Sequence, residues 1–247
     1  MAHSRTSRLF GAAAGAALAP WFALGSFVRH ARVLHPRGVV LWGEVTISPG
    51  DDAWAALGAR LEGRVLARFS GAWWKRREWP DVLGCALRFT HAQAPSVKPQ
   101  QGDQDLLLAT IRTPLTTMLA PLTTHVSDYL DNAYFGVSPF EAGALGRVKV
   151  RLRSRQTSPE FDTRSERIDA ALAEGPIELV LEARPARLAA EYRPIARITL
   201  TSRVDLDQEA LHFDPYLTGR QLEPAGFVHA LRIPTYAASR KARAAAT

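Results

Sequence analysis

The chain has 247 residues, of which 47% are hydrophobic and 22% are charged, a balance typical of a globular domain with a sizeable core. Its net charge of +7 comes from basic residues spread along the sequence, which argues against a nucleic-acid-binding protein. The single cysteine, Cys85, excludes an internal disulfide framework and a cysteine-based metal site.

The first 28 residues form an apolar N-terminal segment. Residues 9–28 carry no charge over 20 positions, but they are rich in Ala and Gly, and Pro20 interrupts them. Three interpretations stay open: a helix packed on the domain or lying on a membrane surface, which we favour, a secretory signal, or a membrane span. Because cysteine is scarce, we expect a cytoplasmic protein, with membrane association through this segment as an alternative.

The rest of the chain is predicted to form mainly strands. Alternation of apolar and polar residues predicts strands over 39–47, 64–70, 84–90, 105–112, 147–153, 177–183 and 196–204. Helical patterns cover 53–61 and 116–132, and polar stretches predict loops over 71–81, 91–102 and 157–167. The pattern indicates an α+β protein with about eight mostly antiparallel strands and helices at its ends. Alternation alone fits a barrel or a sandwich.

A stretch near the end of the chain has two interpretations: an ordinary basic C-terminal helix with a tyrosine packed on the core, or a helix that carries a metal ligand. Arg232 and Tyr236 are four residues apart and share one face of a helix, and Arg240 and Arg243 extend that face. A neighbouring guanidinium favours the phenolate form of tyrosine, and a phenolate oxygen can bind ferric iron. Pro234 lies inside this stretch, so the helix is expected to break there.

Three earlier motifs precede this stretch in a fixed order. Arg32, His35 and Gly38 have the spacing Arg-Val-x-His-x-x-Gly, an Arg-Phe-Ser strand follows at 68–70, and a Gly-x-Ala-containing strand follows at 84–89. With the late Arg-x-x-x-Tyr stretch, this ordered set resembles the haem catalase superfamily. The resemblance covers about residues 29–243 of a chain shorter than ordinary catalases, as in a minicatalase.

The resemblance implies a catalase-like antiparallel β-barrel of about eight strands in a domain over 29–247, with haem b as its cofactor. It implies that Tyr236 is the iron ligand and that Arg232 hydrogen-bonds the phenolate. It also implies that His35 is the distal acid–base group, with its ring held by Ser70. The side chains that would pair with the haem propionates are Arg32, Arg68 and Arg243, with Arg240 as a further candidate.

The sequence departs from the family in one catalytic position. Catalases carry an asparagine in an Asp-Leu-Val-Gly-Asn-Asn-x-Pro-like strand, and the matching stretch here, 105–114, has no Asn. Thr110 is the nearest polar substitute and offers one hydroxyl in place of an amide. Because a hydrogen bond that orients peroxide is changed, the departure favours organic or lipid hydroperoxides over fast dismutation of hydrogen peroxide.

Two functions follow from these features. The first is a haem-dependent oxidoreductase, catalase-like or peroxidase, that processes hydrogen peroxide or organic hydroperoxides. The alternative is a haem carrier or sensor on the same barrel without turnover. The partners expected are a peroxide substrate, a second copy of the chain in a homodimer, and a membrane surface contacted by the N-terminal segment, but no nucleic acid.

Overall fold

The computed structural model describes residues 38–72, 79–112, 120–136, 138–187 and 189–225. The N-terminal segment 1–28 and the late Arg-x-x-x-Tyr stretch lie outside these residues. The strands are β1 (Gly38–Ile47), β2 (Gly63–Gly71), β3 (Leu83–Thr90), β4 (Gln104–Ala109), β5 (Ala133–Phe135), β6 (Phe140–Glu141), β7 (Arg147–Ser154), β8 (Ile177–Pro185), β9 (Arg193–Arg203) and β10 (Glu223–Pro224). The helices are α1 (Ala53–Ala59), α2 (Ala120–Thr123) and α3 (Arg164–Glu174), and one 3₁₀ turn spans Gly143–Leu145.

Eight of these strands close into an antiparallel barrel. Their order around the ring is β7-β5-β4-β3-β2-β1-β9-β8, and the pairing of β8 with β7 closes it. The short strands β6 and β10 pair beside β7. The predicted eight-stranded barrel is therefore confirmed, because closure is what distinguishes a barrel from a sandwich.

Alternate residues of each strand fill the barrel. On β2, Val65, Ala67 and Phe69 point inward and are fully buried. The Phe69 ring lies 5.6 Å from the ring of Tyr129 and 5.7 Å from that of Tyr134. The described interior residues form one continuous apolar cluster, so a site for a large planar ligand has to lie outside this packed interior.

A segment without regular structure, residues 204–219, crosses the outer faces of β1 to β4 and is here called the strap. Its first residue, Val204, donates its backbone N–H to the carbonyl of Val40 at 2.9 Å, and its Leu217 carbonyl accepts from the backbone N–H of Asp105 at 3.0 Å. Between these bonds, apolar strap residues pack on the outer wall, with Leu211 and Phe213 meeting Val40, Trp42 and Leu66. The strap therefore buries outward-facing side chains of four strands.

The predicted helix over 116–132 is wrong beyond residue 123. Helix α2 spans Ala120–Thr123, turns follow, and strand β5 begins at Ala133. Side chains compete with helical hydrogen bonds in these turns. Asp128 Oδ1 accepts the backbone N–H of Leu130 at 2.7 Å, and Asn132 Nδ2 donates to the carbonyl of His125 at 2.8 Å.

The predicted loop over 157–167 is also wrong at its end, because α3 begins at Arg164. Thr163 caps this helix: its side chain accepts the backbone N–H of Glu166, whose carboxylate accepts the backbone N–H of Thr163. This is the capping box, and its Thr-x-x-Glu spacing is visible in the sequence. The predicted strands over 39–47, 64–70, 84–90, 147–153, 177–183 and 196–204 all occur, with ends shifted by a few residues.

Candidate functional site

Three of the predicted site residues lie in the described part of the chain, namely Arg68, Ser70 and Thr110. Arg32, His35, Arg232, Tyr236, Arg240 and Arg243 lie outside it. For these six residues, the roles stated above stay predictions. The described part of the candidate site is the outer wall of the barrel around β2.

Arg68 and Ser70 form a buried polar pair on β2. Each is 3% exposed, and Arg68 Nη1 donates to Ser70 Oγ at 3.3 Å. They point away from the barrel interior, because the residue between them, Phe69, points inward. The prediction that Arg68 and Ser70 share one face is confirmed.

Gly38, the last residue of the first motif, makes room for this arginine. A Cβ at this position would overlap the carbonyl oxygen of Phe69 and come within 3.0 Å of Cζ of Arg68. Any side chain larger than hydrogen would therefore displace the guanidinium from the edge of β1. The register supports this reading, because Gly38 pairs with Ser70 across the two strands.

A residue that sequence reasoning missed, Gln208 of the strap, binds both Arg68 and Gly38. Its Oε1 accepts from Arg68 Nε at 3.3 Å, from Arg68 Nη2 at 3.2 Å and from the backbone N–H of Gly38 at 3.0 Å. Its Nε2 donates to the carbonyl of Gly38 at 2.7 Å. Gln208 follows Arg68 by 140 residues and belongs to none of the motifs, so no local signal could have found it.

Small residues surround the polar pair on the neighbouring strands. Ser70 lies opposite Gly84 of β3, and Gly84 lies opposite Ala109 of β4. One row further along, Arg68 lies opposite Ala86. Directly opposite residues of antiparallel strands share a face, so the outer wall beside Arg68 and Ser70 has a floor of short side chains. Ala86 packs against the strap cluster, and Ala109 packs against Ala72, Val82 and Ala120.

Thr110 does not lie in the row of Ser70, because the register places Ala109 there. The Thr110 hydroxyl accepts the backbone N–H of Leu83 at 3.2 Å, and the hydroxyl of Thr124 lies 2.8 Å from it. Both contacts tie Thr110 to the end of the barrel. Its proposed role toward peroxide stays a prediction.

A second buried polar pair lies on the same wall. Arg88 Nε and Nη2 donate to Asp105 Oδ1 and Oδ2, each at 2.8 Å, and the two residues are 3% and 0% exposed. The pair also holds the strap: Arg88 donates to the carbonyl of His212, and Asp105 Oδ2 accepts the backbone N–H of Asp214 at 2.8 Å. Burial raises the pKa of Asp105 to about 6, although the hydrogen bonds and charge of Arg88 lower it. Sequence reasoning gave neither residue a role.

Within the described ranges, no group of three or more His, Cys, Asp and Glu side chains is placed to hold a metal ion. The helices in those ranges are too short or too polar to cross a bilayer. Neither observation covers the expected iron ligand, Tyr236, because it lies outside the described ranges.

The comparison with known proteins is informative at the level of structure. No protein-family model and no curated protein sequence matches the chain. The crystal structure of a fungal catalase matches with a TM-score of 0.60 and 14% sequence identity over 89% of this chain. The chain has a catalase-like fold. It spans 60% of the length of the catalase that it matches.

Proposed function

We propose that this protein is a haem-dependent enzyme that processes peroxides on a catalase-like barrel. The observation that supports the proposal most is the buried Arg68–Ser70 pair, which lies beside Gly38 and above a floor of short side chains. A guanidinium suits a carboxylate, and short side chains on the neighbouring strands would let a planar ring approach the sheet. Haem b has a planar ring and two carboxylates, so Arg68 and the short side chains beside it support the proposal.

Some residues of the chain would bind haem, and others would transfer protons. Arg68 would bind a propionate together with Arg32, Arg243 and Arg240. Tyr236 would ligate the iron, and Arg232 would keep its phenolate ionised. Bound haem would supply the redox chemistry of peroxide cleavage.

In this proposal, His35 carries out the proton transfer. His35 would take a proton from the attacking peroxide oxygen and return it to the leaving oxygen, which makes the cleavage heterolytic. Ser70 would hydrogen-bond the imidazole and select its tautomer. Replacement of His35 by Ala should then lower turnover by about 100-fold or more, the usual contribution of a positioned acid–base group, while haem binding is retained.

The first test is the absorption spectrum of full-length protein purified from haem-fed cells, beside the variant Tyr236→Phe. We expect a high-spin ferric spectrum in the parent that is lost or altered in the variant. Tyr192→Phe is the matched control, because Tyr192 packs against Arg151 at 4.1 Å on β7, on the far side of the ring of strands from Arg68. A parent that takes up no haem, even after reconstitution, would refute the proposal.

Organic hydroperoxides are the substrates we propose over hydrogen peroxide. The row of Ser70 continues to Ala109, which has no polar group to orient a small peroxide. We expect turnover of cumene hydroperoxide or a fatty-acid hydroperoxide to exceed turnover of hydrogen peroxide at equal concentration. The reverse order would show that the changed strand does not limit dismutation.

Ala109 also favours a second candidate, a haem carrier or sensor without turnover. A carrier needs Arg68 and an iron ligand but no group that orients peroxide. Haem uptake without consumption of either class of peroxide, unchanged in His35→Ala, would support the carrier over the enzyme.

A further inference from the structure

Three long connections between strands lie at one end of the barrel. Strand β1 begins at this end, and β2, β4 and β7 end there, so it is here called the Gly38 end. The connections are residues 72–82, 110–132 and 155–176.

Contacts between the three connections join them into one surface. Ala120 of the second connection packs against Ala72 and Val82 of the first. Asp128 Oδ2 of the second accepts the backbone N–H of Ser158 of the third at 2.9 Å. Side chains exposed on these connections therefore border the same region of solvent.

This surface exposes large apolar side chains. Among the described residues, the three most exposed large apolar side chains are Leu122 at 76%, Phe161 at 52% and Trp79 at 50%, one on each connection. Trp79 also makes contacts within the chain. The exposed residues Glu160 and Asp162 flank Phe161 with carboxylates. Exposed apolar side chains that share one end of a domain indicate a binding surface.

The N-terminal segment has a composition that matches this surface. Residues 9–28 carry no charge, and Arg5, Arg8 and Arg29 flank them. Apolar side chains of the segment would meet the exposed apolar side chains, and the flanking guanidiniums would meet the carboxylates beside Phe161.

The segment also joins the barrel at the right place. The chain enters β1 at Gly38, at the same end as the three connections. The intervening residues, 29–37, span at most about 30 Å when extended. Residues 9–28 are therefore tethered close to the exposed apolar side chains.

We propose that residues 9–28 bind the Gly38 end of the barrel and cover Leu122, Phe161 and Trp79. An anionic lipid surface would repel the carboxylates of Glu160 and Asp162, whereas the basic residues flanking the segment attract them. The charges therefore favour the chain's own segment over a bilayer as the occupant of this surface.

Binding of the segment would have a consequence for the stretch 29–37. Gln208 holds Gly38 through two hydrogen bonds, at 3.0 and 2.7 Å, so the stretch already has one fixed end. The bound segment would fix the other end and restrain Arg32 and His35 between them. The inference itself goes beyond the proposed function and does not require haem.

The first test is photo-crosslinking in full-length protein. The photoreactive residue p-benzoylphenylalanine replaces Leu122 or Phe161, and the matched control carries it at Ile47, which is 40% exposed at the opposite end of β1. A mixture of unlabelled and isotope-labelled chains is irradiated with vesicles of phosphatidylcholine and phosphatidylglycerol present, and mass spectrometry identifies the products. We expect cross-links from positions 122 and 161 to residues 9–28 of the same chain, and none of these from position 47.

The second test is limited digestion with trypsin, which cleaves after Arg29 and Arg32. The double variant Leu122→Ser, Phe161→Ser should be cleaved there about tenfold faster than the parent, because cleavage follows the population of the open form. Ile47→Ser is the matched control and should be cleaved at the parent's rate. All three substitutions are at exposed positions, so the barrel should fold in each variant.

Cross-links to lipid, to a second copy of the chain or to no partner would overturn the inference. Equal cleavage of the parent and the double variant would also overturn it, as would a mature protein from which residues 1–28 have been removed. None of these results bears on haem uptake, so failure of this inference is distinguishable from failure of the proposed function.

Discussion

Arg68 and Arg88 lie on neighbouring strands of one barrel wall, each is 3% exposed, and the same strap covers both. Around Arg88, the Asp105 carboxylate accepts two bonds from the guanidinium, and the carbonyls of His212 and Val97 accept further bonds. Around Arg68, a carboxamide and a hydroxyl take these places. The first arrangement neutralises a buried charge and fastens the strap. The second joins Arg68 to a strap side chain and to its neighbour on β2 through uncharged groups.

The largest effect should come from breaking the neutralised pair. Arg88→Met removes the cation and leaves the Asp105 carboxylate buried without its main partner, which costs about 3–5 kcal/mol in comparable buried pairs. Urea unfolding followed by circular dichroism measures the loss. The double variant Arg88→Met, Asp105→Leu should regain much of it, because the stranded charge is gone. A loss of unfolding free energy below about 1 kcal/mol in the single variant would mean that the Arg88–Asp105 pair does not stabilise this wall of the barrel.

The second effect is a pH dependence of the free energy of unfolding. The partner of Arg88 is a carboxyl group that titrates, whereas the partner of Arg68 is the carboxamide of Gln208, which does not. Burial raises the pKa of Asp105 to about 6, whereas an unfolded aspartate titrates near 3.9. Between these values the folded chain binds more protons, so this group lowers the free energy of unfolding as pH rises from about 4 to 6, by about 3 kcal/mol in all. Above pH 6 the contribution is constant.

The measurement is the pH dependence of unfolding in the parent, Asp105→Asn and Gln208→Met. The slope between pH 4 and 6 should flatten only in Asp105→Asn, whatever the absolute stability of each variant. An unchanged slope in Asp105→Asn would assign the titration to another group.

A smaller effect is expected at Gly38, where Arg68 meets β1. A methyl group in Gly38→Ala would press on the Phe69 carbonyl and on the Arg68 guanidinium. Overpacking of this kind costs about 1–3 kcal/mol. If the cost arises at the Arg68–Gln208 contact, Gly38→Ala and Gln208→Met should be non-additive in a double-mutant cycle of unfolding free energies. Additive losses would place the strain at the strand edge instead.

The smallest effect on stability is expected for an exposed ion pair between β6 and β7. Arg147 pairs with Glu141 at 2.8 Å, but their side chains are 52% and 40% exposed. Exposed ion pairs contribute about 0–1 kcal/mol, and salt screens them. Arg147→Met should therefore change the urea midpoint little, in contrast to Arg88→Met. A comparable loss in both variants would show that burial does not set the difference.

The sequence predicted the described barrel well and the details around it less well. Strict alternation in β7 and β8 identified strands, because the period of two is local. The helix predicted over 116–132 failed because Asp128 and Asn132 bind the backbone in turns, a competition that an apolar stripe does not reveal. Helix α3 was missed although the capping residues Thr163 and Glu166 are visible in the sequence.

The candidate site was also predicted only in part from the sequence. From the sequence alone, Arg68 and Ser70 had to share a face of one strand, and the order of four motifs indicated a catalase-like fold. Only the tertiary structure decided that this face is the outer wall, that the strap buries it, and that Gln208 and Asp105 are the partners of its two arginines. The physical reason is distance along the chain: alternation reports on neighbours two residues apart, whereas ring closure and the bond between Arg68 and Gln208, 140 residues apart, exist only once the strands have paired.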